Sequence, residues 1–138
     1  VLRLRGHHLI CLHFFSGEGY DSNFVENLKN VLRRTEYDEI EVCDGADDIC
    51  SKCPYLKYYK CQYDEHADNE IREMDETALS LLKVKPHIKV RWQDIKKKIL
   101  QIFPEWFKKY CTDCDWEVVC NKNHLYQKLK GERCSYRN

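Results

Sequence analysis

Five glycines and three prolines are few for 138 residues. No Gly/Ser or Pro stretch interrupts the chain, so nothing divides it, and the expectation is one domain over residues 1–138. Net charge is also missing: 23 basic side chains balance 23 acidic ones. Without a field of one sign, neither nucleic acid nor an anionic membrane is an expected partner. No apolar run approaches the ~20 residues of a membrane span. The opening Val1-Leu2-Arg3-Leu4-Arg5-Gly6 alternates charge with leucine, unlike a secretory signal, so the expected compartment is the cytoplasm. Absent too are a Gly-rich phosphate loop, a G-x-S-x-G elbow and an H-E-x-x-H helix. Any catalysis would then fall to a metal centre with an open coordination position.

Cysteine, by contrast, is abundant, with nine residues. Six of them form two triplets of one layout, Cys50-x2-Cys53 with Cys61 and Cys111-x2-Cys114 with Cys120, about sixty residues apart. A tight turn brings two thiolates of such a pair onto one ion, and the third approaches from a short loop away. In a reducing compartment this spacing points to metal, whose coordination free energy would also support folding. Tetrahedral zinc and iron–sulfur clusters both take about four such ligands. With two sites each triplet is one short, and Cys11, Cys43, Cys134 or a histidine could complete it; with one site, four of the six triplet cysteines suffice, for example the two Cys-x2-Cys pairs. The third cysteine beside each pair, and Pro54 directly after Cys53, favour iron–sulfur over zinc. Cys11 shares a helical face with His7 and His8, which makes it a further candidate ligand and one histidine a ligand or a supporting donor. Asp47 and Asp48 read as caps of a turn that delivers Cys50. Arg3 and Arg5 read as the solvated face of a strand, with neutralisation of thiolate charge as the other possibility. Cys43 and Cys134 read as incidental thiols, and His13, His66, His87 and His124 as surface or satisfied residues.

The pattern of apolar residues gives the elements. Leu2 and Leu4 alternate with arginine as a short strand, and His7 to Phe15 is a dense apolar helix stopped by Gly17 and Gly19. Asp21 to Asn23 offers caps for an amphipathic helix through Phe24, Leu28 and Val31. Glu39 to Cys43 alternates again, and Cys53 to Cys61 is a tyrosine-rich loop. Ala67 to Leu82 is a second amphipathic helix, Ile88 and Val90 a third short strand. Trp92 to Phe103 is a third helix stopped by Pro104, with the lysines at 96–98 on its solvated side. Asn121 to Lys130 is a last helix closed by Gly131. The expected fold is α+β, predominantly α, with helices around a small sheet and cysteine-rich loops closing a metal or cluster site.

Four stretches resemble one family. They are Leu4-Arg5-Gly6-His7-His8-Leu9-Ile10-Cys11-Leu12, Gly17-x-Gly19-Tyr20 with Phe24-Val25-Glu26-Asn27, Asp47-Asp48-Ile49-Cys50-x2-Cys53-Pro54, and Cys111-x2-Cys114-x-Trp116 ending at Cys120. Together, in this order, they resemble the domain-of-unknown-function family 1284, small bacterial and archaeal proteins described as iron–sulfur binding. The resemblance implies that Cys11, Cys50, Cys53, Cys61, Cys111, Cys114 and Cys120 belong to the family pattern, with Cys43 and Cys134 outside it. It implies no substrate.

The expectation from residues and resemblance together is a four-iron, four-sulfur cluster serving electron transfer or redox sensing with a partner protein. A zinc-stabilised interaction module and a cluster enzyme with an open iron site are the alternatives.

Overall fold

The computed structural model describes residues 2–15, 21–50, 56–57, 60–61, 67–111, 123 and 125–129, with the backbone alone at 56–57, 60–61, 67–68 and 111. The fold is α+β and predominantly helical. Strand β1 (Leu2–Arg5) runs straight into helix α1 (Gly6–Cys11) and a 3-10 turn (Leu12–Phe14). Helix α2 (Ser22–Arg34) follows, begun by Asp21, whose side chain accepts from the Phe24 N–H at 2.8 Å. Strand β2 (Ile40–Cys43) then lies parallel to β1, with Leu2 opposite Ile40 and Arg5 opposite Cys43. A parallel pair needs a long crossover, and α1 and α2 supply it.

Strands β3 (Leu56–Lys57) and β4 (Lys60–Cys61) form a two-stranded antiparallel hairpin, which puts Cys61 on a strand where the sequence suggests a plain loop. Helix α3 (Ala67–Leu82) packs along α1, and β5 (Lys89–Val90) pairs antiparallel with β2. The main sheet order is therefore β1-β2-β5. Helix α4 (Trp92–Trp106) passes into a π-type turn (Phe107–Cys111), and residues 125–129 are helical after Asn123, whose Oδ1 accepts from the Tyr126 N–H.

The core lies where these faces meet. Leu2, Leu4, Ile40 and Val42 from the sheet join Leu9 and Ile10, Phe24 and Leu28, Ala78 and Leu82, and Ile95, Ile99 and Phe103. Phe14, Phe103 and Tyr126 meet edge to face. Each large apolar side chain buried here stabilises by roughly 1.5–3 kcal/mol.

Helix α4 does not stop at Pro104, as the sequence suggests, but contains it. Proline removes the bond to the carbonyl of residue 100 and costs about 3 kcal/mol in a helix interior. Both Pro104 and Leu100 face solvent, where water can take the orphaned carbonyl. Just beyond, Trp106 and Phe107 are buried, and their burial offsets the lost bond. The three lysines at 96–98 do lie on the outer side, and the Lys98 ammonium donates to the Leu82 carbonyl at the end of α3. Gly17, Gly19, Cys53, Cys114, Cys120, Gly131 and Cys134 lie outside the described residues.

Candidate metal centre

The junction of β1 and α1 has no loop, so Arg5, His7 and His8 leave it in close succession. Its position is fixed by Gly6, where a Cβ would come within 2.4 Å of the Asp75 carbonyl. Only glycine lets α1 start this close to the backbone of α3. Helix α1 has no cap of its own. Asp75 reaches across from α3, and its Oδ1 accepts from the His7 backbone N–H at 2.9 Å and from the His7 Nδ1–H at 2.7 Å. The other oxygen accepts from the Arg5 Nε–H at 2.7 Å.

Asp47 does the same work on the other side. Its Oδ1 accepts from the N–H groups of Ile49 and Cys50, both at 3.0 Å, the cap that the sequence suggests. Its Oδ2 accepts from the Arg5 backbone N–H and from the His8 Nδ1–H, both at 2.7 Å. Next to it, the Asp48 carboxylate accepts from the Arg3 N–H at 2.8 Å. The two aspartates thus cover the open edge of β1. The Asn27 side-chain amide donates to the Asp48 carbonyl and ties this turn to α2.

One ligand atom from each of His8, Asp47 and Cys50 lies within 4.8 Å of the others, the one such group among the described residues. The rings of His7 and His8 are 4.2 Å apart. Arg5 corrects the expectation of a solvated strand face. It is 1% exposed, and its Nη1–H donates to the Cys50 sulfur at 3.4 Å. The outward arginine is Arg3, which pairs with Glu41.

Burial works against charge on Asp47 and Asp75. The hydrogen bonds and charges of His8 and of His7 with Arg5 outweigh it and hold both carboxyls below the usual range. Burial and the neighbouring His8 lower His7 to about 4 despite Asp75. Burial and the Asp47 charge push the Cys50 thiol up to about 12, against the pull of Arg5. A bare Cys50 is therefore a protonated thiol and a poor nucleophile at neutral pH. A positive ion at its sulfur would reverse that.

Two features fit a metal. Sulfur and imidazole nitrogen suit iron or zinc rather than magnesium or calcium. The Arg5 Nη2 is also buried with no hydrogen-bond partner among the described residues, a donor in want of an anionic acceptor beside Cys50.

Of the seven expected cysteine ligands, Cys50 is in this cluster. Cys11 is half-buried and packed against the apolar core, outside the His8–Asp47–Cys50 group. Cys61 and Cys111 are described in backbone alone, and the side-chain positions of Cys53, Cys114 and Cys120 lie outside the described residues. Cys43 is buried, its thiol directed at the carbonyls of Gly45 and Ala46. His13 departs from expectation: it stacks on Trp92 at 3.7 Å, and its buried Nε2 has no hydrogen-bond partner among the described residues.

Asp75 escapes the sequence reading, although a signal exists. On α3 it shares a face with Ile71, Ala78 and Leu82, a carboxylate in an apolar stripe. Arg5 escapes because a charged residue in a short alternating strand looks like a solvated one.

Fold and cluster together define an α+β protein with a histidine–carboxylate–thiol site built on a buried carboxylate. The model of the family described as "Protein of unknown function (DUF1284)" matches residues 19–120, and the chain belongs to that family. Asp47, Cys50 and Asp75 fall in the matched range; Arg5, His7 and His8 precede it. No curated protein and no solved structure matches the chain. No described helix is long and apolar enough to cross a membrane.

Proposed function

We propose that the protein holds an iron–sulfur cluster and serves one-electron transfer or redox sensing. The observation that carries this reading is the contact of Arg5 with Cys50, a buried guanidinium donating to the first sulfur of a cysteine triplet. A cationic donor so placed offsets the negative charge that thiolates and inorganic sulfide bring to a site. The ligands on this reading are Cys50, Cys53, Cys61, Cys111, Cys114 and Cys120, with Cys11 as a further one. Bound there, the cluster supplies a reversible one-electron couple. The chain's own part is to fix Cys50 through Asp47, to balance charge through Arg5, and to exclude water with the packed α1–α3 contact. The balanced surface charge supports a protein rather than a nucleic acid as partner. Thiols kept for metal suit the reducing cytoplasm.

A structural zinc site is the second reading, favoured by the imidazole of His8 close to Cys50. One experiment separates the two: anaerobic purification followed by elemental analysis and ultraviolet–visible spectra. A brown protein with iron and sulfide in stoichiometric ratio, its absorption bleached by dithionite, is expected. Colourless protein with stoichiometric zinc would overturn the cluster.

A further inference from the structure

We infer that His8 is a metal ligand, its Nε2 joining the Cys50 sulfur on the same centre; the inference rests on the reading of a metal at Cys50. The Asp47 carboxylate is the key to it. Each of its oxygens already accepts two hydrogen bonds, from Ile49, Cys50, Arg5 and His8. Its side chain is fully buried, while that of His8 keeps 15% of its surface exposed. Asp47 is thus the least available donor of the three, and its function is to aim the other two. One carboxylate holds the imidazole by Nδ1 and the cysteine by its backbone N–H, so the ring and the backbone of Cys50 are anchored to one group, with a ligand atom of each within 4.8 Å of the other.

Because a carboxylate only accepts, Nδ1 of His8 carries a hydrogen, and in the neutral ring the lone pair sits on Nε2. That is the tautomer a metal takes, with the carboxylate behind the ring setting its orientation. His7 has a similar carboxylate in Asp75, yet it is not part of the group around Cys50. A purely structural His8 would explain its bond to Asp47 but not the company it keeps. The 2%-exposed side chain of Arg5 lies against Cys50, with its Nη2 unsatisfied among the described residues. Such a donor calls for an anionic acceptor, which a thiolate or sulfide of a metal centre would provide.

The test is pulsed electron paramagnetic resonance on the full chain, reconstituted anaerobically with ferrous iron and sulfide and then reduced. If the chain takes up zinc instead, cobalt(II) replaces it as the paramagnetic probe. The expected result is nitrogen hyperfine coupling of a directly bound imidazole, altered by 15N-histidine labelling, lost in His8→Gln and retained in His7→Gln. A metal-loaded wild type without that coupling, or a coupling unchanged in a folded His8→Gln, overturns the assignment while leaving the metal reading intact. Wild-type chain that binds neither iron nor zinc overturns both. Should His8→Gln not fold, the labelled wild type still decides whether an imidazole nitrogen is bound.

Discussion

The guanidinium of Arg5 donates through Nη1 to the sulfur of Cys50 at 3.4 Å, joining the end of β1 to a turn forty-five residues later. Arg5 is held from behind by Asp75 at 2.7 Å, with both side chains mostly buried. Removing one member of a buried ion pair strands the other, at about 3–5 kcal/mol. Arg5→Met should therefore lower unfolding free energy by about that much. The double change Arg5→Met with Asp75→Leu should cost less than the two single changes added together. Urea unfolding of the four proteins checks this. An Arg5→Met protein as stable as the wild type would show that the pair has no such role.

Gly6 gives a prediction of a steric kind. A methyl at this position meets the backbone carbonyl of Asp75 at 2.4 Å, and backbone in the middle of α3 cannot swing aside. Gly6→Ala must push α1 off α3, which costs about 1–3 kcal/mol or more as overpacking. The same shift would pull His7 from Asp75. The expected outcome is a lower melting temperature together with reduced metal uptake. An unchanged melting temperature would reject this steric role of Gly6.

The acid side of the stability curve should be governed by His13. Burial, then the nearby charge of Lys96, lowers its imidazole to about 3, against an ordinary value near 6.5. The unfolded chain therefore gains a proton below pH 6.5 that the folded chain refuses until about 3. Stability from this group is complete above pH 6.5 and falls as the pH drops through that window. Two pH units into it, the loss is roughly 2–3 kcal/mol. His7, lowered to about 4, adds a loss of the same sign. Asp47 and Asp75, both lowered, lose theirs only as the pH falls below the ordinary carboxylate range. His13→Phe keeps the stacking on Trp92 and removes the unsatisfied Nε2, so its stability should fall less steeply between pH 6.5 and 4.5. Equal slopes for the two proteins would reject the assignment.

Much of this fold is legible from periodicity, because strands and helices with one apolar face announce themselves. Ile40 and Val42, the stripe from Phe24 to Val31, and the Asp47 cap before Cys50 all lie where the pattern places them. Pro104 misleads because a local rule about proline says nothing of the buried Trp106 beyond it. The site itself is harder to read. Cys50 and His8 are suspects by residue type, but what joins them is a shared carboxylate thirty-nine residues from His8. Arg5 and Asp75 are hidden for a related reason. Their pairing spans seventy residues, and only tertiary packing turns a strand-face arginine and a helix-face aspartate inward.

Cys43 and Cys50, seven positions apart in the sequence, should respond differently to removal of the thiol. Cys43 is 1% exposed, directed at the carbonyls of Gly45 and Ala46, and pushed up to about 12 chiefly by burial. Cys50 is pushed equally high but faces Arg5 and neighbours His8. If raised thiol basicity alone marked a ligand, the two would behave alike. Of the two, it is Cys50 whose sulfur accepts from Arg5 and shares a group with the His8 imidazole. Cys43→Ala should keep its full metal content while losing about 1–2 kcal/mol to the cavity. Cys50→Ala should release metal, and so should Cys111→Ala if the second triplet also ligates. Metal-to-protein ratios after gel filtration, measured beside thermal melts, distinguish a lost ligand from a weakened core. Metal release from Cys43→Ala, or full retention by Cys50→Ala, would move the centre away from the Asp47 turn.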